Sequence, residues 1–206
     1  MFGWPKSGVN RRLTLAPRSA KNCYADRAAT RRDGSRSRHE TPTGIIDMPV
    51  NAEEFRAALG RFASGVTVVC CAATDGRPLG VTVSAFTSVS LDPPLVLFCL
   101  DRRGSLVDEL PVGHTFTVNI LHEGQENVSR QFAARHGDRF ANIAYHPGLE
   151  GTPVLDDVLT ALECRVQSMH AAGDHDIFIG LVERVTLFER EPLVHCRGRY
   201  AHLARS

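Results

Sequence analysis

The sequence predicts a mainly β protein, a closed or partly closed antiparallel barrel with short helical inserts. Runs rich in β-branched and aromatic residues recur along the chain, whereas helical periodicity is confined to short segments. The last third, residues 161–203, is almost entirely a succession of strand-like runs. With 206 residues, of which 43% are hydrophobic, the chain is long enough to bury the core of such a barrel.

The predicted domain begins with one helix and a hairpin. A helix ending near Gly65 is indicated by three apolar residues at the spacing of one helix face, Phe55, Leu59 and Phe62. A β-branched strand over 65–73 follows, and Asp75-Gly76 is a typical hairpin turn. The helix therefore leads directly into the sheet.

Residues 76–105 are the stretch in which we predict a binding site. Their first strand, 79–91, carries Ser, Thr and Ala where a core strand would carry Val and Ile. Such small polar residues leave backbone N–H groups and hydroxyls available to a flat, anionic ligand. After a break at 92–94, an apolar strand over 95–100 leads to a short predicted helix that begins near Ser105.

The middle of the chain adds one strand and one helix. The segment 115–121 reads as a strand, and 124–135 as a helix in which Val128 and Phe132 share a face. Residues 137–156 are rich in Pro and Gly and are predicted to form a loop.

The charge divides the chain into an extension, 1–47, and a domain, 48–206. The extension carries ten basic and four acidic side chains without apolar periodicity, which predicts disorder. A transit peptide, a nucleic-acid-binding tail and translated upstream sequence are the alternatives, and the fresh start at Met48 favours the last. The domain carries more acidic than basic side chains, which argues against a nucleic acid partner.

Several reaction classes are excluded by what the sequence lacks. No lysine follows Lys21, so the domain has no Schiff-base or lysine general-base chemistry. The motifs G-x-G-x-x-G after a strand, H-E-x-x-H and G-x-S-x-G are absent, and the nine His lack metal-ligand spacing. Six Cys without a C-x-x-C pair or signal peptide favour reduced thiols in a cytoplasmic protein without a membrane span.

The Gly-Asp-His-Asp motif at 173–176 is distinctive, because it forms a turn that leads into a predicted strand. Between two acids, His175 would be oriented and partly charged, and could present its ring to a ligand. A histidine on a surface turn is the alternative. A triad with Ser168 is disfavoured because nothing supplies an oxyanion hole.

Three further polar features could contact a ligand, and the first two of them also have a purely structural interpretation. Asn119 lies mid-strand, where a structural hydrogen bond and a ligand contact are equally open. Arg130 is either a solvated residue or a phosphate clamp. The corner at Arg102, Arg103 and Ser105 would bind an anion at the start of the predicted helix.

In their order along the chain, these motifs resemble the short-chain flavin reductase family, whose fold is the FMN-binding split barrel, a Greek-key antiparallel barrel. The resemblance covers roughly residues 50–203. It is carried by the helix leading into GVTVV and by the segments PLGVTVSAFTSVSLDPPLVLFCLDRRGS, FTVNIL, SRQFA, GDHDIFIGLV and RGRY.

The resemblance implies a homodimeric NAD(P)H:flavin oxidoreductase. Such an enzyme uses NADH or NADPH to reduce FMN or FAD and supplies the reduced flavin to a separate flavin-dependent monooxygenase. Hydride transfer of this kind requires stacking and donors near the flavin's developing negative charge, not a metal or an acid–base pair. A flavoprotein that keeps its flavin as an electron carrier or oxidase, and a non-enzymatic flavin- or haem-binding module, are the alternatives.

The resemblance also implies a role for individual residues. Asn119 would be one contact of the flavin. The flavin ring would be lined with backbone and hydroxyl donors from Gly80, Val81, Thr82, Ser84, Ala85 and Ser88. The ribityl chain and phosphate would be wrapped by residues 99–105, namely Cys99, Leu100, Asp101, Arg102 and Ser105. The flavin tail would be closed over by Arg130 and Phe132. The nicotinamide would be positioned by His175, with Arg199 and Tyr200 beside it.

Overall fold

A computed structural model describes residues 50–204. Contacts divide the chain into two compact units, Met1–Phe55 and Arg56–Ser206. The predicted extension over 1–47 lies outside the described residues and stays a prediction. In the first unit, Asn51 caps the start of a helix. Its Oδ1 accepts hydrogen bonds from the backbone N–H groups of Glu53 and Glu54 at 3.0 and 2.9 Å.

The described elements are mainly strands. The helices within residues 50–204 are α1 (Ala52–Leu59) and α2 (Glu126–Ala133), neither of which is long and apolar enough to cross a membrane; Leu149–Gly151 is a 3₁₀ turn. The strands are β1 (Ser64–Gly65), β2 (Thr67–Ala72), β3 (Pro78–Val83), β4 (Phe86–Leu91), β5 (Pro94–Asp101), β6 (Thr115–Ile120), β7 (Tyr145–Pro147), β8 (Pro153–Leu155), β9 (Thr160–Ala172), β10 (His175–Leu187), β11 (Val194–Cys196) and β12 (Arg199–Ala201).

Seven of these strands form one antiparallel sheet in the order β3-β2-β6-β9-β10-β5-β4. Strand β3 at one edge also contacts β5 near the other edge, so the sheet curls on itself. Strands β1, β11 and β12 form a small second sheet, and β7 pairs with β8. The predicted antiparallel barrel with short helical inserts is confirmed.

Two apolar cores hold this architecture together. Inside the barrel, Phe98 stacks on Phe178 with ring centroids 5.1 Å apart, and Phe116 tilts against Phe98. A second core forms on the opposite face of β2, where Cys70 packs with the residues around α2 and β8. Alternate residues of β2 face the two cores, which explains why this strand is apolar after Thr67. Burial raises the pKa of the Cys71 thiol to about 12, so it remains protonated.

Four predicted elements differ from the observed ones. The loop predicted over 137–156 contains the paired strands β7 and β8 and the 3₁₀ turn between them. The strand 79–91 is two strands, β3 and β4, interrupted at Ser84-Ala85. The predicted helix near Ser105 is wrong, because successive i→i+3 turns follow β5 and bury Leu106 and Leu110 in the barrel core. Helix α1 ends at Leu59, where Gly60 follows, and its apolar residues are exposed rather than buried.

Gly180 of β10 packs closely against the ring of Phe116 in the barrel core. An alanine Cβ at this position would overlap the ring of Phe116. We expect Gly180→Ala to lower the free energy of unfolding by about 1–3 kcal/mol through overpacking, measured as a lower Tm or denaturant midpoint. Gly65→Ala is the matched control, because a Cβ there meets no atom within 4 Å. Equal stability of the two variants would contradict the packing.

Candidate functional site

Helix α2 covers the outer side of β3. A Cβ at Gly80 would lie 2.6 Å from Phe132 Cε1, so glycine is required for the ring to pack there. Thr82 Oγ1 donates to the carbonyl oxygen of Ser129 at 2.7 Å. Val81, which lies between Gly80 and Thr82, packs against the barrel core. The side chains of β3 are therefore used for packing, and the strand offers a ligand its backbone.

That backbone has one open edge. Gly80 O accepts a hydrogen bond from Arg139 Nη1 at 2.8 Å, and β2 is the only strand that pairs with β3 among the described residues. Because backbone groups alternate in an antiparallel pair, those of Thr82 point to the same side as those of Gly80. Ser84 and Ala85, which follow, are exposed. The edge continues into this connection as a row of donors and acceptors.

The connection between β3 and β4 lies against the end of β5. Cys99 N–H donates to Ala85 O at 3.1 Å, which brings together the two segments that the sequence predicts as ring and phosphate contacts. Partial burial raises the pKa of the Cys99 thiol. A neutral, half-buried thiol beside exposed backbone is suited to contact a flat ring.

His175 stands at the same end of the sheet. It pairs in register with Asp101 of β5, and its Nδ1 lies 2.7 Å from Asp174 Oδ1. The hydrogen bond and charge of His175 lower the pKa of Asp174. Because Asp174 holds Nδ1, the half-exposed imidazole presents Nε2 to a ligand. Ser168, by contrast, bonds His170, so the triad finds no support.

The arginines that follow β5 are engaged by acids. Arg102 Nε bonds the buried carboxylate of Asp176 at 3.0 Å. Arg103 bonds Asp101, and its hydrogen bonds hold the pKa of that carboxyl well below its usual range. The anion corner predicted at Arg102, Arg103 and Ser105 therefore lacks its helix, and both guanidiniums are paired with carboxylates.

Ser105, the third residue of that corner, lines a cleft of about 290 Å³ that also reaches Gly80. Three guanidiniums line it, against one carboxylate from Asp138: those of Arg135, Arg139 and Arg77, the last of which is already paired with Asp75 at 2.8 Å. Arg139 is fixed in place, because its Nε donates to Ala134 O at 2.9 Å and its Nη1 to Gly80 O. The cleft combines a hydroxyl with several guanidiniums, the donor set that binds phosphate.

Tyr200 joins the second sheet to α2. Its hydroxyl donates to Ser129 Oγ at 2.8 Å, and the Arg130 guanidinium lies 4.9 Å from the centre of its ring. Arg199, beside it on β12, is exposed. Arg130 and Tyr200, which the resemblance assigned to the flavin tail and to the nicotinamide, are therefore in contact with each other.

Three of the residues predicted to contact the flavin are buried in the protein. Ser88 is a separate case, because it lies on β4, where it pairs with Val96. The amide of Asn119 donates to Val68 O and Thr117 Oγ1 and accepts from Leu155 N–H, so its role is structural. Phe132 is fully buried behind Gly80, and Leu100 faces the barrel core. These side chains can position the site but have no surface left to touch a ligand.

Comparison with known proteins identifies the family. The model of the flavin reductase like domain matches residues 59–204. The chain belongs to the flavin reductase-like family. A probable flavin reductase of Rhizobium meliloti (strain 1021) is 43% identical over 149 residues, which cover 71% of this chain but 47% of that protein. This chain therefore spans about half the length of that relative.

Two further matches cover most of both partners. The reductase component of a 4-nitrophenol 4-monooxygenase/4-nitrocatechol 2-monooxygenase from Rhodococcus opacus is 40% identical, over 75% of this chain and 82% of its own length. The structure of a Streptomyces globisporus NADH:FAD oxidoreductase in complex with NAD and FAD fragments has a TM-score of 0.72 and 35% identity. It covers 78% of this chain and 98% of that one.

The residues present in this flavin reductase-like chain fit a flavin nucleotide. The open edge of β3 provides backbone donors for a ring, and the guanidinium cleft next to it provides donors for a phosphate. Sequence reasoning missed Arg77, Arg135 and Arg139. A usable signal existed, because a basic residue lies on each side of a Gly-Asp pair directly after α2.

Proposed function

We propose that this chain is an NAD(P)H:flavin oxidoreductase that reduces FMN or FAD and supplies the reduced flavin to a flavin-dependent monooxygenase. The observation that carries the proposal is the open edge of β3, with a phosphate-binding cleft at one end and His175 near the other. Relatives named as reductase components of monooxygenases support the partner.

Each part of the site has a task in this reaction. The flavin, when bound, accepts a hydride from the nicotinamide. The outward backbone groups of β3, with Ser84 and Ala85, hold the ring, and Ser105 with Arg139 holds the phosphate. His175 positions the nicotinamide through Nε2. No described side chain has to act as a nucleophile, which agrees with the lack of lysine in the domain.

The site is shallow, which bears on how the flavin is used. Ser84, Ala85 and Ser105 are all exposed, so the proposed ring and phosphate sites face solvent. Such a site favours a flavin that binds, is reduced and leaves, rather than a prosthetic group. A reductase that supplies a monooxygenase has to release its reduced flavin in this way.

A homodimer in the cytoplasm completes the proposal. Exposed apolar side chains would be covered by a second copy: Val89 and Leu91 on β4, and Val185 and Leu187 on the part of β10 that extends beyond its pairing with β5. The described cysteines Cys70, Cys71, Cys99, Cys164 and Cys196 are free thiols, which supports a reducing compartment. Light scattering during gel filtration tests the dimer.

The test of function is a steady-state assay of NADH and NADPH oxidation with riboflavin, FMN and FAD. We expect turnover to depend on added flavin and the purified protein to carry little of it. A yellow protein with slow flavin exchange would instead indicate an electron carrier or oxidase. Flavin binding without dinucleotide oxidation would indicate a binding module.

A further inference from the structure

A second arginine cleft lies apart from the first. It has a volume of about 280 Å³ and runs between the end of α1 and the turn that joins β11 to β12. Its lining contains three guanidiniums and no carboxylate: Arg56, Ala57, Gly60, Arg61, Arg197 and Gly198. The surrounding domain has more acidic than basic side chains, so a cleft with only basic groups is unusual in it.

These guanidiniums are not needed to cap α1. Arginines near a helix end commonly bond the last carbonyl oxygens. Here backbone N–H groups already occupy four carbonyls at that end: those of Arg56, Ala58, Leu59 and Gly60. Over residues 50–204, the three side chains form no ion pair within 4.0 Å. They are therefore available to an external anion.

The cleft is close to the proposed reaction site without being part of the flavin cleft. Arg197 N–H donates to Gly60 O at 2.6 Å, which fixes the β11–β12 turn against α1. Tyr200 follows three residues later, so its Cα lies within about 10 Å of that of Arg197. The Tyr200 hydroxyl bonds Ser129, whose carbonyl oxygen accepts from Thr82 on β3. A short, bonded path therefore connects the cleft with the ring-binding strand.

We propose that this second cleft binds a phosphate group of the nicotinamide dinucleotide through Arg56, Arg61 and Arg197. The inference rests on the proposed function. The proposed flavin phosphate site has its own donors, Ser105 and Arg139, and shares no lining residue with the second cleft. The dinucleotide carries its diphosphate one ribose away from the nicotinamide, and NADPH has a further 2′-phosphate. Guanidiniums bind both through charge-assisted, bidentate hydrogen bonds.

The test combines kinetics with direct binding. In Arg61→Ala and Arg197→Asn, we expect the dinucleotide KM to rise about tenfold, with kcat and flavin affinity within about twofold of wild type. Asn is used at 197 because this residue has a φ of 52°, which Asn tolerates. A rise for NADH and NADPH alike identifies the diphosphate as the bound group, and a rise for NADPH alone identifies the 2′-phosphate.

Arg184→Ala is the matched control, because its exposed guanidinium lies 3.6 Å from Glu163 on another part of the surface. Calorimetric titration of the FMN-saturated protein, whose first cleft is occupied, with inorganic pyrophosphate gives a readout independent of activity: wild type and Arg184→Ala bind it, and the cleft variants bind it about tenfold more weakly. Unchanged KM values and unchanged pyrophosphate affinity in the cleft variants overturn the proposal. So does a defect confined to flavin delivery to a monooxygenase, which would make the cleft a protein-docking site. A wild type that binds pyrophosphate at the cleft but oxidises neither dinucleotide overturns the proposed function instead.

Discussion

Replacing Arg139 with alanine is expected to weaken FMN and FAD binding about 10- to 100-fold. The guanidinium lines the first cleft with Ser105, and a hydrogen bond to a charged group contributes about 1.5–3 kcal/mol. The substitution also frees Gly80 O, which Arg139 Nη1 now holds at 2.8 Å. Quenching of flavin fluorescence on titration measures the dissociation constants.

Riboflavin separates the two effects of this substitution, because it has the ring but no phosphate. Loss of a phosphate contact leaves riboflavin affinity nearly unchanged, whereas distortion of β3 weakens all three flavins. Arg135→Ala removes an exposed guanidinium from the same cleft without touching β3, so we expect about a tenfold loss for FMN and FAD only. Arg103→Ala is the contrasting variant, since Asp101 already engages Arg103. If Arg103→Ala loses more FMN and FAD affinity than Arg139→Ala, the flavin phosphate binds instead at the corner predicted from the sequence.

Local patterns were sufficient to predict most of the fold. Runs of β-branched residues located β2 and β6, and the Asp75-Gly76 turn located the hairpin that joins β2 to β3. Gly173-Asp174 in the same way marks the hairpin of β9 and β10. These signals are short-range, because strand spacing and turn chemistry depend on adjacent residues.

The arginine-lined cleft next to β3 could not be predicted in the same way. Arg139 meets Gly80 across 59 positions of sequence, and the contact depends on how α2 lies over β3. Proximity in sequence favoured Arg102 and Arg103 instead, yet Asp176 and Asp101 take up their guanidiniums. The pairing of Arg102 with Asp176 spans 74 positions of sequence, so the segment around Arg102 does not contain that information, whereas the Arg103–Asp101 pair is local.

Family motifs gave the region of the site but not the direction of each side chain. Phe132 belongs to the motif that the resemblance assigned to the flavin tail, yet its ring packs on Gly80 behind the strand. Leu100 faces inward because alternate residues of β5 line the barrel. The motif is therefore partly a packing signature: a residue can belong to it by supporting the site from inside the core.

Replacing His175 with alanine is expected to raise the KM for NADH about tenfold while flavin affinity stays within about twofold. The reason is geometric: Asp174 holds Nδ1 at 2.7 Å, so the ring is oriented and Nε2 is the atom that contacts the dinucleotide. Loss of one such hydrogen bond corresponds to about 1–1.5 kcal/mol, and it acts on the hydride donor only. Steady-state kinetics at saturating flavin measures the KM, and fluorescence titration measures flavin affinity.

The chain contains a matched control for this experiment. His146 Nδ1 also lies 2.7 Å from a carboxylate, that of Asp156, and its side chain is exposed on the small hairpin of β7 and β8. His146→Ala removes the same His–Asp pair away from the proposed site, so its kinetics should match those of wild type. Asp174→Asn should show a smaller rise in KM than His175→Ala, because the imidazole remains but is held less firmly. If His175→Ala and His146→Ala have the same KM for NADH, His175 is a surface turn residue and the nicotinamide binds elsewhere.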